Sequence, residues 1–221
     1  MRVVLKLGGA VAEAAARDAL DLCGAGDEVV VVHGAGPQIT RELRRRAIPV
    51  SFVGGRRVTS PAALAVVRES LVAVGIRVSA RLGSAALPLV GDEIGLEARR
   101  LPGLGLVGEP LPSRPPAIVE ALAARRIPVV APIAVGPLNV NADEAAGALA
   151  VGLEADRIVF VSDVPGVFVN GAWADRIEVD EAASLLAAGA FEGGIVPKLL
   201  AAVRAARLGV RAEIGSTEVL A

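Results

Sequence analysis

The chain is 221 residues long and 53% hydrophobic, with 23 Lys plus Arg against 24 Asp plus Glu and a formal charge of −1. That length and apolar content can bury a sizeable core in one α/β domain or in two lobes sharing a sheet. A pI of about 6.0 excludes a basic surface made for nucleic acid or anionic membrane, and no apolar run approaches the roughly 18 residues of a membrane span.

The N-terminal "MRVVLKLGGA" enters strand-like sequence at once, with no signal-peptide pattern, so a cytoplasmic protein is expected. One cysteine, Cys23, excludes an intramolecular disulfide, and with a single histidine no His/Cys metal centre is expected.

The β-branched run "RVVLKLG" (2–8) predicts a strand, and "AVAEAAARDALDLCG" a helix after it. "DEVVVVHG" (27–34) predicts a second strand, and "PQITRELRRRAI" a second helix with Pro37 in its first turn. Residues 60–84 predict a long helix capped by Ser60, with Pro61 at its first position. Short runs punctuated by Gly and Pro between about 87 and 112 predict hairpins. "PPAIVEALAARR" reads as a helix and "IPVVAPIAV" as one strand buried on both faces. Then come a helix "NADEAAGALAVGL", a strand "DRIVFVSD", and a hairpin "GVFVNGAWADRI" turning at Asn170-Gly171. Helices around 180–189 and 196–208 and a last strand "GVRAEIGS" complete the chain. Continuous apolar strands alternating with helices predict a three-layer αβα sandwich around a mainly parallel sheet. Any lobe boundary falls near Gly136-Pro137.

In such folds ligands bind beyond the carboxyl ends of the strands, where "KLGG", "HGAG" and "SDVPG" all lie. Gly8-Gly9 and Gly34-Ala35-Gly36 each join a strand to a helix, a place where backbone N–H groups favour anions. Each alone is equally a tight connection, and neither has the spacing of a Walker A loop or a Rossmann fingerprint. More telling is lysine usage. Lysine occurs only at Lys6 and Lys198, every other basic residue being arginine. A compact ammonium fits between phosphate oxygens where a planar guanidinium does not. Lys6 interrupts an apolar strand, where a cation needs a partner or ligand. Lys198 begins a helix, the end of the dipole that disfavours cations.

In "NVNAD", Asn141 predicts an N-cap forming a capping box with Glu144. Capping leaves Asn139 unexplained and leaves Asp143 free to pair with a lysine. Arg57 in "GGRRVTS" offers a fork to a carboxylate. His33 reads as a structural group at a strand end, Cys23 as packing and Trp173 as a hairpin-tip residue.

Together "KLGG", "VVHGAG", "GRRVT", "NVNADEAA", "VSDVPGV" and "GGIVPKLLAA" resemble the amino acid kinase family, most closely its acetylglutamate-phosphorylating branch in arginine biosynthesis. The resemblance spans roughly residues 2 to 214, and "NVNAD" with "GG-(x)₃-K" and "RVT" carries its specificity. It implies one domain over 1–221, with an acyl-acceptor lobe (1–136) and a nucleotide lobe (137–221). The implied reaction is transfer of the γ-phosphoryl of ATP, with Mg²⁺ delivered on the nucleotide, to the side-chain carboxylate of N-acetyl-L-glutamate. By the same resemblance Lys6 and Lys198 stabilise the transferring phosphoryl group and Asp143 orients them. Ala35, Gly36, Arg57 and Asn139 meet the acyl acceptor. Gly8, Gly9, Gly34, Asp163, Val164, Gly166 and Phe191 meet ATP.

Three departures stand out. Ala35 replaces the middle glycine of the family's HGGG turn. The final helix and closing strand are expected to be missing or collapsed into "GSTEVLA". No helix precedes the first strand, which by the resemblance implies an arginine-insensitive homodimer. Kinases of glutamate, aspartate or a carrier-linked aminoadipate, and a non-catalytic sensor of the same fold, remain alternative readings.

Overall fold

The computed structural model describes residues 1–8, 15–162 and 164–221; Gly9 and Asp163, both candidate nucleotide contacts, lie outside the described residues. Strand β1 (Arg2–Leu7), helix α1 (Ala16–Gly24), strand β2 (Glu28–His33) and helix α2 (Gly36–Arg45) follow the predicted order. A short hairpin, β3 (Phe52–Val53) and β4 (Arg56–Arg57), leads into the long helix α3 (Pro61–Leu82). The Ser60 side chain accepts from the Ala63 N–H at 3.1 Å, the predicted cap.

Next come β5 (Ala86–Val90), α4 (Gly91–Ile94), β6 (Ala98–Arg100), β7 (Val107–Pro110), α5 (Pro116–Ala123), β8 (Ile127–Ala131), β9 (Ile133–Ala134) and β10 (Leu138–Val140). The remainder is α6 (Ala142–Gly152), β11 (Arg157–Val161), β12 (Val167–Val169), β13 (Ala172–Ala174), β14 (Arg176–Glu178), α7 (Val179–Ala187), α8 (Ile195–Arg207), β15 (Arg211–Ile214) and β16 (Thr217–Leu220).

Eight strands form the central sheet in the order β14-β16-β15-β11-β1-β2-β8-β5, parallel throughout except between β15 and β16. Five of the six residues in each of β1 and β2 are buried, as continuous apolar strands covered on both faces should be. Strand alternation divides the interior in two. Val4, Val30 and Val32 join α5, α6 and α8 in one core. Val3, Leu5, Val29 and Val31 join α1 and α3 in the other. Lys6 shares the face of Val4, so the pleat alone turns its side chain toward α6.

Three expectations change. The 87–112 region is only partly hairpin: β6 and β7 pair antiparallel, but β5 runs parallel to β8 at the sheet edge, where Pro88 interrupts no inner ladder. The 127–135 strand breaks at Pro132, which lacks an N–H for the ladder; β9 then turns to pair with β10 through Gly136-Pro137. The closing strand is present. β16 pairs antiparallel with β15 and parallel with β14, burying Thr217 and Val219.

Candidate active site

A cleft of about 440 Å³ opens at the carboxyl ends of β1 and β2, bounded by the β3–β4 hairpin, β10 and the first turns of α2, α6 and α8. Its chemistry starts with Lys6, buried one residue from the end of β1, whose Nζ lies 2.8 Å from Asp143 Oδ1. Burial lowers the Lys6 pKa below the usual lysine range, the Asp143 carboxylate opposes that, and the Lys198 charge adds to the lowering. Lys198 rises from the first turn of α8, its Nζ donating to Gly194 O at 3.1 Å and standing 4.0 Å from the same Asp143 oxygen. Two ammonium groups 192 positions apart therefore share one carboxylate, and the trio keeps one net positive charge facing the cleft.

Asp143 is fixed by the start of its helix. Asn141 Oδ1 accepts from the N–H groups of Asp143 at 2.8 Å and Glu144 at 3.3 Å, as the predicted N-cap. The reciprocal half of the capping box does not form, because the Glu144 side chain turns instead to Arg56, with Arg56 Nη2 2.8 Å from Glu144 Oε1.

Arg57 lies across the cleft and is buried. Its Nη2 donates to Thr40 Oγ1 at 2.9 Å and Gly36 O at 3.3 Å, while its guanidinium stacks 4.6 Å from the Phe52 ring centre. Its Nη1 is buried without a protein partner, in a residue that lines the cleft. A buried donor left open this way suits a carboxylate acceptor. Asn139 donates to Thr59 Oγ1 at 2.9 Å, and the Thr59 hydroxyl donates to Arg57 O at 2.7 Å, so Asn139 and Arg57 share one support.

Gly8, Gly34, Ala35 and Gly36 also line the cleft. Ala35 has φ −143°, outside the left-handed region that favours glycine, and its methyl is buried, so alanine is accommodated where the family pattern has glycine. Val164, Gly166 and Phe191 stand apart from the cleft lining: Val164 is exposed and Phe191 packs on the larger core. Gly166 is a packing requirement, since a Cβ there would overlap Thr217 Oγ1. That hydroxyl is already committed, accepting from Val167 N–H at 2.8 Å and donating to Ala174 O at 2.6 Å.

His33 is fully buried against α3, where Gly75 allows the approach; a Cβ on Gly75 would lie 2.9 Å from the imidazole Nε2. Burial pushes the His33 pKa down to about 4, so it is neutral near pH 7, a structural group as expected. Cys23 is half-buried, and Trp173 makes an edge contact with Phe168 on the β12–β13 hairpin, ring centres 5.0 Å apart. Among the described residues no three His, Cys, Asp or Glu side chains gather as a metal site, and no helix is long and apolar enough to cross a membrane.

Sequence reasoning did not single out Arg56, Glu144 as a pairing residue, Thr59 or Phe52. The signal for Arg56 was its position beside Arg57 on a strand, which directs neighbouring side chains to opposite sides.

Against known proteins, the amino acid kinase family pattern matches residues 1–216. The chain belongs to the amino acid kinase family. This amino acid kinase is 37% identical over 235 residues to the acetylglutamate kinase of Synechococcus sp. (strain RCC307), covering 96% of this chain and 78% of that protein. It is 41% identical over 244 residues to the acetylglutamate kinase of Kineococcus radiotolerans, covering 94% and 80% of the two chains. Among solved structures, smu.665 from Streptococcus mutans UA159 superposes with a TM-score of 0.90 at 28% identity, covering 99% of this kinase and 98% of that chain. The family uses ATP.

Proposed function

We infer that the chain is an acetylglutamate kinase, transferring the γ-phosphoryl of ATP to the side-chain carboxylate of N-acetyl-L-glutamate to give an acyl phosphate and ADP, a step of arginine biosynthesis. Identity near 40% to acetylglutamate kinases over almost the whole chain supports the activity. The observation that carries the mechanism is the single Asp143 oxygen shared by Lys6 and Lys198, in the same cleft as Arg57.

The acceptor is already a nucleophile near neutral pH, since a free side-chain carboxylate ionises with a pKa of about 4.3. A proton-abstracting base is therefore unnecessary, and the neutral buried His33 is not asked to serve as one. The harder task is to bring an anion onto a polyphosphate. Arg57 and Asn139 hold the acceptor, with Ala35 and Gly36 shaping the floor beneath it. Lys6 and Lys198 neutralise the charge spread over the transferring oxygens, and Asp143 keeps both ammonium groups aimed and Lys6 protonated despite its burial. The Gly8 N–H at the end of β1 adds a fixed donor, such a donor being worth roughly 3–4 kcal/mol. The Gly34 N–H is already held by Leu7 O at 2.9 Å, so Gly34 serves by letting the nucleotide approach the backbone closely.

Mg²⁺ travels with ATP as its counter-ion in this reading, and the reaction takes place in the cytoplasm. Residues 1–136 form the acceptor lobe and 137–221 the nucleotide lobe, joined by one continuous sheet. The functional particle is a homodimer. Support for that comes from the outer row of α3, where Ala65, Ala73, Ile76 and Ala80 are exposed, and from β5 at the edge of the central sheet.

A coupled ADP-release assay with N-acetyl-L-glutamate, glutamate, aspartate and a carrier-linked aminoadipate tests the assignment. N-acetyl-L-glutamate should give the highest kcat/KM. Preference for another acceptor overturns the substrate, and ADP release with none of them overturns the enzyme.

A further inference from the structure

The motif "GGRRVT" places two arginines in succession on β4, a strand only two residues long. Alternation sends them to opposite sides. Arg57 reaches the start of α2, as described. Arg56 reaches α6, where its Nη2 lies 2.8 Å from Glu144 Oε1 and its Nε donates to Glu144 Oε2 at 3.2 Å, a two-point ion pair. Arg56 Nη2 also stands 3.7 Å from Glu109, which is itself paired with Arg99 and, at 3.5 Å, with Arg204 of α8. The pair is largely shielded, with 20% of the Arg56 side chain and 10% of the Glu144 side chain exposed.

The hairpin that carries Arg57 needs such a tether. Its strands contribute two residues each, Phe52 and Val53 are exposed, and Gly54 and Gly55 turn at φ +55° and +76°. A two-stranded ribbon this short has little stability of its own. At the other end, Glu144 adjoins Asp143 in the first turn of α6. Asn141 caps both of their N–H groups, and the Glu144 side chain pairs outward with Arg56 instead of returning to the Asn141 backbone. One rigid helical turn therefore directs Asp143 to the lysines and Glu144 to the hairpin.

We propose that the Arg56–Glu144 ion pair is a positioning device for the acyl acceptor, fixing the hairpin so that Arg57 presents the acceptor in register with the Lys6–Asp143–Lys198 trio. This rests on the acetylglutamate kinase reading and adds to it Glu144, which lies outside the cleft lining, and Arg56, whose side chain also borders the cleft. Their bidentate pairing is geometrically selective, so loss of either partner frees the hairpin, the 3.7 Å approach of Arg56 to Glu109 being too long to replace it.

The test is a double-mutant cycle read in steady-state kinetics. Arg56→Met and Glu144→Gln should each raise the acceptor KM about tenfold, with the KM for ATP within about twofold of wild type. The Arg56→Met/Glu144→Gln double variant should be no worse than either single one. Arg56→Lys, which keeps a cation near Glu144 but not the two-point fork, should recover only part of the loss. An unchanged acceptor KM in Arg56→Met overturns the proposal. So does an effect of Arg56→Met that Glu144→Gln does not share, which would mean that Arg56 holds the acceptor directly. Effects that multiply in the double variant likewise overturn it. A wild-type protein that phosphorylates no acceptor fails the underlying functional reading instead, a result obtained before any variant is made.

Discussion

Replacing Asp143 with asparagine keeps the shape of the side chain and removes the one negative charge between two ammonium groups. At 2.8 Å, with an effective dielectric of about 20, the Lys6–Asp143 attraction is ~6 kcal/mol, and the 4.0 Å arm to Lys198 adds ~4 kcal/mol. Mutual repulsion of the lysines and residual solvation offset more than half of this. What remains is about 3–4 kcal/mol, within the range for breaking a buried pair. At about 1.4 kcal/mol per decade, that corresponds to a loss of roughly 10²–10³ in kcat.

The loss should carry a pH signature. Lys6 acts as the protonated ammonium, so activity is present below its pKa and disappears as pH rises through it. Burial already lowers that pKa and Asp143 holds it up, so Asp143→Asn should move the basic limb of the kcat profile to lower pH. ADP release at saturating substrates across pH 6 to 9.5, with melting curves to confirm folding, measures both effects. A variant within about threefold of wild type, with its basic limb unmoved, would refute the role assigned to the shared carboxylate.

Lys198→Arg should fold normally and lose about 10²-fold in kcat, because a planar fork cannot replace a point charge that sits 3.1 Å from Gly194 O; near-normal turnover would count against the phosphoryl role. Arg57→Ala should raise the acceptor KM by about 10²-fold with little change in the KM for ATP, and acceptor titrations at fixed ATP would detect it. His33 binds its proton more weakly folded, with a pKa of about 4, than unfolded, near 6.5. The unfolded chain therefore takes up the proton first as pH falls, and His33 should cost about 3 kcal/mol of stability between pH 6.5 and 4. Urea unfolding at stepped pH should show that slope in wild type and lose it in His33→Gln.

Much of this architecture is legible in the chain because burial on both sheet faces writes itself as unbroken runs such as "VVVV" in β2. Lys6 stood out against such a run, and Asn139 stood out because capping could not explain it. Features set by distant pairing were hidden. The Glu144 side chain looked like half of a capping box because local spacing favours that contact, yet its partner lies 88 residues earlier, on a hairpin that local sequence does not place. β16 was missed for a similar reason: "TEVL" is too short to announce a strand, and it becomes one only because β14 and β15 leave a slot between them. Gly166, a nucleotide contact by the family resemblance, also makes room for the Thr217 hydroxyl, which arrives from that same closing strand and which the local sequence does not announce.

With both lysines committed to a single cleft, the outer surface of this protein is left to guanidinium groups and carries no ε-amine from any other position. Amine-directed reagents thus have only the two cleft side chains and the chain terminus to attack. Labelling yield on the peptides containing residues 6 and 198 becomes a direct gauge of whether the cleft is filled. Immobilisation or cross-linking through lysine, harmless for most enzymes, would here be carried out on the reacting groups themselves.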